Sequence, residues 1–162
     1  MKKLWAPWRI DYIRSKKDEG CIFCDKPEME DRSGLILFRG KNSFTLMNLH
    51  PYTNGHLMVA PFRHIDSFGG INQAERLEIL EQIDLSIDAL SNVLNPDGFN
   101  IGANLGESAG AGIKDHIHFH VVPRWKGDTN FMPVLGNTKV MVEGLEDSWE
   151  ELKPLFEGEK HV

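Results

Sequence analysis

The sequence predicts an α+β fold: a mainly antiparallel five-stranded sheet with one long helix and a C-terminal helix. Short apolar runs follow one another through turn residues, which is typical of strands joined by hairpins. One longer segment carries Leu and Ile at spacings of three and four residues, as an amphipathic helix does. A chain of 162 residues is long enough for one domain with a substantial core and too short for two ordinary domains.

The strands are predicted at residues 34–40, 43–48, 56–61, 99–105 and 116–124, with a further short edge strand at 138–142. The long helix is predicted to begin at Asn72, because Glu75 three residues later completes a capping box. Its apolar stripe is expected to face the sheet and consists of Leu77, Leu80, Ile83, Ile87, Leu90 and Leu94.

The long helix is expected to end at Asn95, since Pro96 and Gly98 follow. Residues 146–156 predict the C-terminal helix, whose regularity Pro154 limits. We expect a single domain over residues 1–162, divided into an irregular N-terminal arm (1–33), a core (34–142) and a C-terminal helix with a tail (143–162).

Composition and charge exclude several functional classes. With 41% hydrophobic and 26% charged residues, the chain has the composition of a soluble globular protein. It contains no apolar run of about eighteen residues that could span a membrane, and the opening "MKKLWAPWRI" lacks the apolar stretch of a signal peptide. A net charge of −6 without a concentration of Lys and Arg argues against a nucleic-acid or membrane-surface binder. We therefore expect a cytoplasmic protein.

The two cysteines, Cys21 and Cys24, form a single C-x-x-C motif. In a reducing compartment such a pair indicates half of a zinc site or a redox motif rather than a structural disulfide. Burial of two ordinary small side chains is the alternative.

Three histidines alternate within the run "HIHFHVV" at residues 116–122. Because successive side chains of a strand point to opposite faces, the three imidazoles are predicted to share one face. The apolar residues between and after them would then face the core: Ile117, Phe119 and Val121. Exposed polar residues on a half-buried strand are the alternative. Lys, Thr and Glu are the common choices there, whereas imidazole suits nucleophilic or acid–base chemistry.

Two kinds of chemistry fit these histidines. A tripod of imidazoles could hold a catalytic zinc ion with an open position, or one imidazole could attack an electrophile while its neighbours hold oxygens of the same group. The upstream segment "ESAGAGIK", with Gly110 and Gly112, would let the backbone approach an anion closely. Arg124 downstream offers a fork of donors suited to phosphate. This combination favours a phosphate group as the electrophile.

The pattern "HIHFHVV" resembles that of the histidine-triad superfamily of nucleotidyl hydrolases and transferases. The stretch "NLHPYTNGHLMVAPFRH" is similar to the strand and loop that precede the long helix in that family. "HVVPRWKGDTNFMPV" and the opening "LWAPWR" resemble its bacterial branch, which acts on dinucleoside polyphosphates such as diadenosine tetraphosphate. The resemblance covers nearly the whole chain, and it implies cleavage at an α-phosphorus through a nucleotidyl-histidine intermediate.

The resemblance also implies a role for each matching residue. His118, the middle histidine of the triad, matches the nucleophile that attacks phosphorus. His120 and His56 match residues that contact phosphate oxygens. Asn48 matches a residue that hydrogen-bonds the ribose hydroxyls, and Asn104 matches a candidate phosphate contact. For both asparagines an ordinary turn-stabilising role is the alternative.

In relatives that carry a C-x-x-C motif, zinc is held by the two cysteines, a downstream histidine and the first histidine of the triad. The matching residues in this chain are Cys21, Cys24, His64 and His116. Two thiolates and two imidazoles form a closed tetrahedral set. The resemblance therefore implies a structural zinc ion that also fixes the strand beside the nucleophile, and it implies no organic cofactor.

The acceptor in the reaction depends on Gly112. Eukaryotic fragile-histidine-triad hydrolases carry a glutamine at this position, four residues before the first triad histidine. The glycine-rich segment is instead similar to bacterial members that use inorganic phosphate and release a nucleoside diphosphate, so phosphorolysis and hydrolysis both remain open. A nucleoside phosphoramidase and a nucleotide-binding module without turnover are the alternative functions.

The resemblance implies a homodimer as well. The aromatic residues of the N-terminal arm, Trp5, Trp8 and Tyr12, have the composition of an interface. Packing of the arm over its own subunit is the alternative.

Overall fold

A computed structural model of the chain describes residues 20–128, 141 and 143–157. Its strands are β1 (Ile36–Arg39), β2 (Ser43–Met47), β3 (Leu57–Pro61), β4 (Gly98–Gly102) and β5 (Phe119–Arg124). They form one antiparallel sheet in the order β1-β2-β3-β5-β4, which confirms the predicted α+β fold. The predicted edge strand at 138–142 lies almost wholly outside the described residues, and so do Trp5, Trp8 and Tyr12.

The described helices are α1 (Ile22–Asp25), α2 (Asp31–Gly34), α3 (Gln73–Leu94) and α4 (Leu145–Glu157). The first two are single turns; α1 lies within the predicted irregular arm and α2 at its end. The capping box of α3 is confirmed: the Asn72 side chain accepts from the Glu75 backbone N–H at 3.0 Å, and the Glu75 carboxylate accepts from the Asn72 N–H at 2.9 Å. Asn95 ends α3 in the left-handed conformation, with φ of 45°. Helix α4 runs through Pro154. Within the described ranges, neither long helix has the length and apolarity needed to cross a bilayer.

The sheet separates two apolar layers. Helices α3 and α4 cover one face, where the core includes Met47, Leu57, Val59, Ile117 and Val121. A smaller layer lies on the other face and contains Phe23, Ile36, Phe44, Leu46, Met58 and Ala60. Met58 is paired with His120 in the antiparallel register, so the two side chains lie on the same face. The alternating histidines therefore belong to the smaller layer, opposite the long helices.

The predicted start of the last strand at residue 116 was wrong. Strand β5 begins at Phe119, which forms the last pair with β3, opposite Val59. The backbone N–H of Ile117 donates instead to the carbonyl of Ile65, at 2.6 Å. Residues 116 and 118 therefore lie before the strand ladder, in a segment held by this separate backbone bond.

The predicted apolar stripe of α3 was wrong in part. Leu77 and Leu80 are 60% and 61% exposed, so they do not face the sheet. The sheet-facing side carries the buried polar residue Gln82, which donates to the Ser43 carbonyl at 3.0 Å and is bonded to Thr45 Oγ1 at 2.8 Å. The buried side of α3 thus includes polar residues with partners on β2, which the hydrophobic pattern did not predict.

A single carboxylate fastens the β1–β2 turn to α3. Glu78 accepts from the Asn42 side-chain amide at 2.6 Å, from the Asn42 N–H at 2.9 Å and from the Ser43 N–H at 3.0 Å. Burial raises the pKa of Glu78, but the hydrogen bonds from Asn42 and Ser43 outweigh it and hold the pKa below its ordinary value. The ionised form is therefore the one that stabilises the turn.

The substitution Glu78→Gln is expected to lower the free energy of unfolding by about 1–3 kcal/mol, because it turns an amide donor toward the donors of Asn42. Urea unfolding at pH 7 measures the loss, and Glu81→Gln at an exposed position of the same helix is the matched control. The wild-type advantage should shrink as the pH falls below the ordinary Glu value of 4.5, since the unfolded chain then binds a proton that the folded carboxylate resists, and it should be lost once the folded carboxylate is protonated as well. Equal losses in the two variants would contradict this account.

Candidate active site and metal cluster

Four histidines lie together on the face that carries the smaller apolar layer. His56, His116, His118 and His120 are 1%, 0%, 6% and 9% exposed. The ring centroids of His118 and His120 are 4.9 Å apart, and those of His56 and His120 are 5.0 Å apart. Burial of all four imidazoles excludes the alternative of ordinary polar residues on a solvent-exposed strand face. His56 directly precedes β3, so the cluster joins two neighbouring strands.

Hydrogen bonding fixes the tautomer of His118. Its Nδ1 lies 2.9 Å from the backbone carbonyl oxygen of His116, and because a carbonyl only accepts, Nδ1 carries the proton. Burial lowers the pKa of His118, and the hydrogen bond to His116 only partly offsets this effect. The ring is therefore neutral near pH 7, and its Nε2 carries a free lone pair. A neutral imidazole with an unprotonated Nε2 is the form that acts as a nucleophile.

His120 has the opposite tautomer to His118, with its proton on Nε2. The Tyr52 backbone N–H donates to Nδ1 of His56 at 3.0 Å, and the Asn48 side-chain amide lies 3.2 Å from the same nitrogen. Nε2 of neutral His56 therefore carries the proton and donates to Nδ1 of His120, at 2.9 Å. The proton of neutral His120 must then be on Nε2. This buried atom has no hydrogen-bond partner among the described residues.

The two tautomers together define what the cluster can do. His118 presents a lone pair and His120 presents an N–H donor, on rings that meet edge to face at 4.9 Å. A nucleophile beside a donor suits attack on an electrophile that carries negatively charged oxygens.

A second cluster lies directly beside the first. The ligand atoms of Cys21, Cys24, His64 and His116 all lie within 4.8 Å of one another, so the four residues could hold a metal ion. His116 Nδ1 is 3.3 Å from Cys21 Sγ, and His64 Nδ1 is 3.3 Å from Cys24 Sγ. His116 also donates from Nε2 to the Pro61 carbonyl at 2.9 Å, which leaves Nδ1 as the lone-pair nitrogen facing the thiols. A ligating histidine usually has such an outer hydrogen bond.

The Cys24 thiol resists ionisation without a cation. Burial raises the pKa of the Cys24 thiol to about 11, with further contributions from a hydrogen bond and the charge of Cys21. Two thiolates side by side repel each other, whereas a coordinated thiol is deprotonated by the metal. Binding of a divalent ion would therefore release protons and would weaken at low pH.

Other predicted site residues lie apart from the histidines or lack a defined contact with them. Arg124 is four residues beyond His120 in β5, roughly 13 Å along the strand, and its guanidinium is bonded to Asp128 and Asn100. Asn104 lies in the half-buried loop after β4. Gly110 ends a short 3₁₀ turn at Glu107–Ala109 with φ of 88°, a left-handed conformation that favours glycine. Gly112 follows in the same half-buried segment.

Three contributors to the site do not stand out in the sequence. The Tyr52 N–H and the Pro61 carbonyl act through the backbone, where side-chain identity gives no signal. Phe23 stacks on His118 with ring centroids 4.5 Å apart. Its position between the two cysteines of the C-x-x-C motif is the only signal that could have identified it.

His120 is expected to stay neutral down to a pH of about 4. Burial, and secondarily the charge of His118, lower the pKa of His120 from 6.5 to about 4. Between these values the unfolded chain binds a proton that the folded protein refuses, so this group makes stability rise with pH from about 4 to 6.5. His120→Gln should flatten that part of the curve in urea unfolding at stepped pH, whereas His50→Gln at an exposed position should not. Titration of the His120 ring above pH 6 in NMR spectra would contradict the prediction.

Comparison with known proteins identifies the family. The HIT domain model matches residues 30–127. The AP-4-A phosphorylase of Mycobacterium tuberculosis is 38% identical over 157 residues, which cover 91% of this chain and 80% of that protein. The bis(5'-adenosyl)-triphosphatase of Dictyostelium discoideum is 30% identical over 140 residues, which cover 80% of this chain and 91% of that protein.

Solved structures show the same fold. A Zn-bound histidine triad family protein from Mycobacterium smegmatis superposes with a TM-score of 0.66 at 24% identity, covering 86% of this chain and 94% of that one. A hypothetical histidine triad nucleotide-binding protein from Sulfolobus tokodaii gives a TM-score of 0.67 at 23% identity, covering 85% of this chain and 93% of that one. The chain belongs to the HIT domain family.

Proposed function

We propose that this chain cleaves dinucleoside polyphosphates, such as diadenosine tetraphosphate, at an α-phosphorus. The observation that carries the proposal is the pair of opposite tautomers, with a lone pair on His118 Nε2 and an N–H on His120 Nε2. The substrate class is supported by relatives whose names describe an AP-4-A phosphorylase and a bis(5'-adenosyl)-triphosphatase.

In the first step, His118 Nε2 attacks the α-phosphorus, a P–N bond forms, and the bond to the oxygen of the leaving nucleotide breaks. The ring gains positive charge, which the His116 carbonyl stabilises through its hydrogen bond to Nδ1. His120 Nε2 donates to a non-bridging oxygen of the same phosphate, and His56 holds His120 in the required tautomer. The nucleotidyl-histidine intermediate divides one difficult displacement into two easier ones.

In the second step, an acceptor oxygen attacks the phosphorus, the P–N bond breaks, and the electron pair returns to His118. The acceptor loses its proton to solvent. We infer inorganic phosphate as the acceptor, because Gly112 has no side chain to occupy the space beside the anion. The phosphorylase name of the Mycobacterium tuberculosis relative supports the same choice.

The remaining contacts are proposed for the nucleotide. Asn48 would bind the ribose, and Asn104, Gly110 and Gly112 would bind phosphate oxygens through side-chain and backbone groups. Ile113, directly after this segment, packs against the apolar layer of the histidine face, which supports that assignment. Phosphate binding at Arg124 would replace its present ion pair with Asp128.

Product analysis with diadenosine tetraphosphate tests the function. With inorganic phosphate we expect ADP plus ATP, and without it little turnover and a nucleotidyl adduct on His118 detectable by mass spectrometry. His118→Ala should lower kcat/KM by about a thousandfold or more, whereas His50→Ala, an exposed histidine outside the site, should change it little. AMP plus ATP regardless of phosphate would make water the acceptor, and an absence of His118-dependent cleavage would refute the function.

We also propose that Cys21, Cys24, His64 and His116 hold a structural zinc ion. With Zn–S of about 2.3 Å and Zn–N of about 2.0–2.1 Å, tetrahedral geometry separates sulfur and nitrogen ligands by about 3.5 Å. The separations here are 3.3, 3.3 and 3.6 Å, which supports this metal. A bound zinc ion would supply structural cross-linking in this place, because all four ligands come from the protein.

Protein purified without chelators is expected to contain about one zinc ion per chain by elemental analysis. Cys24→Ser should lower the zinc content severalfold, because a hydroxyl is a poor zinc ligand at neutral pH, and chelation of the wild type should lower its Tm. His50→Gln, which leaves the four residues intact, should retain the metal. Wild-type protein with well under one zinc ion per chain would overturn the assignment.

We further propose a cytoplasmic homodimer with a single domain. The edge strand β4 supports the dimer, because its Ile101 and the following Leu105 are 49% and 50% exposed. A pair of zinc thiolates supports the location, because a reducing compartment preserves them.

A further inference from the structure

Phe23 is the one aromatic side chain that stacks on the face of the proposed nucleophile among the described residues. It is 1% exposed and lies in α1, between Cys21 and Cys24. Its ring centroid is 4.5 Å from that of His118, and the two ring planes are 28° apart. The same ring also lies 5.3 Å from that of His116, tilted by 45°.

The hydrogen bond on His118 does not by itself fix the ring. The bond from Nδ1 to the His116 carbonyl holds one atom, and the imidazole could still tilt about that point. A flat ring stacked on one face removes this freedom, since tilting would either separate the rings or force them together. His120 also contacts the His118 ring, at an interplanar angle of 79°, and restricts its tilt further. The direction of the Nε2 lone pair therefore depends on Phe23.

Phe23 is itself held firmly. It packs in the smaller apolar layer with Phe44, Leu46 and Met58, which belong to two neighbouring strands. The two cysteines that flank it belong to the candidate metal cluster, so the backbone on both sides of the ring is tied to His64 and His116. A stacking partner can orient a catalytic ring only if its own position is fixed, and this one meets that condition.

We propose that Phe23 is a positioning residue that sets the ring plane of His118 for in-line attack on phosphorus. The proposal rests on the proposed function, in which His118 is the nucleophile. Its action is on the chemical step: a misdirected lone pair leaves substrate binding intact and lowers the fraction of bound complexes that can react. Misplacement of reacting atoms by about 1 Å can cost roughly a hundredfold in rate.

The test compares Phe23→Leu with Phe44→Leu in the metal-containing protein. Phe44 is 0% exposed in the same apolar layer and stacks on Phe62 at 5.1 Å, so it matches Phe23 in burial and type but lies outside the histidine contacts. Phe23→Leu should lower the single-turnover rate of adduct formation about tenfold or more, with KM and zinc content nearly unchanged. The two substitutions should lower Tm by similar amounts, because each removes a buried phenyl ring. Phe44→Leu should nevertheless leave the single-turnover rate within about twofold of wild type.

NMR spectra of the His118 ring protons give a readout independent of activity. A stacked phenyl ring shifts these protons upfield, so Phe23→Leu should move them downfield, whereas Phe44→Leu should leave them in place. If Phe23→Leu loses zinc, Phe23→Met takes its place in the test, because methionine keeps the apolar volume without a flat ring. Unchanged His118 shifts, or equal rate losses in the Phe23 and Phe44 variants, would overturn the proposal. A wild-type protein without cleavage would refute the proposed function, while the shifts would still decide whether Phe23 stacks on the His118 ring.

Discussion

The hydrogen bond from His116 Nε2 to the Pro61 carbonyl is the interaction on which the rest of the site depends. Pro61 ends β3, and pairing between β3 and β5 has already stopped at Val59. The His116 imidazole therefore hydrogen-bonds to the end of β3, at a position where β5 no longer pairs with β3. In this position His116 turns Nδ1 toward the cysteines and its carbonyl toward His118, so one residue belongs to both clusters.

This sharing connects local stability with chemistry. Cys21 and His116 are 95 residues apart in the chain, and a metal ion between them would close nearly the whole sheet into one loop. Closing a long loop stabilises the folded state by restricting the unfolded chain. The same closure fixes the segment before β5, which holds the carbonyl acceptor of His118. A cross-link that stabilises the fold thus also orients the proposed nucleophile, and Phe23 reaches the same ring from the other end of the loop.

Sequence patterns predicted the composition of the site better than its geometry. The alternation at residues 116–120 identified which imidazoles share a face, because the period of an extended chain is a local property. The failure at Leu77 and Leu80 has a tertiary cause: Gln82 faces β2 because Ser43 and Thr45 offer it hydrogen bonds. Hydrophobic spacing carries no information about such polar partners. The tautomers could not be predicted from the sequence either, since they depend on backbone groups that only folding brings together.

Four buried imidazoles would be costly if charged, and lowered pKa values of His118 and His120 keep both rings neutral. Neutral rings must each assign one donor and one acceptor nitrogen. The backbone makes that assignment, because the Tyr52 N–H can only donate to His56 and the His116 carbonyl can only accept from His118. The chain of bonds from Tyr52 therefore cannot reverse without losing a buried hydrogen bond. Two chemically identical side chains receive opposite tautomers, one presenting an N–H donor and the other a lone pair, from fixed backbone groups rather than from neighbouring charges.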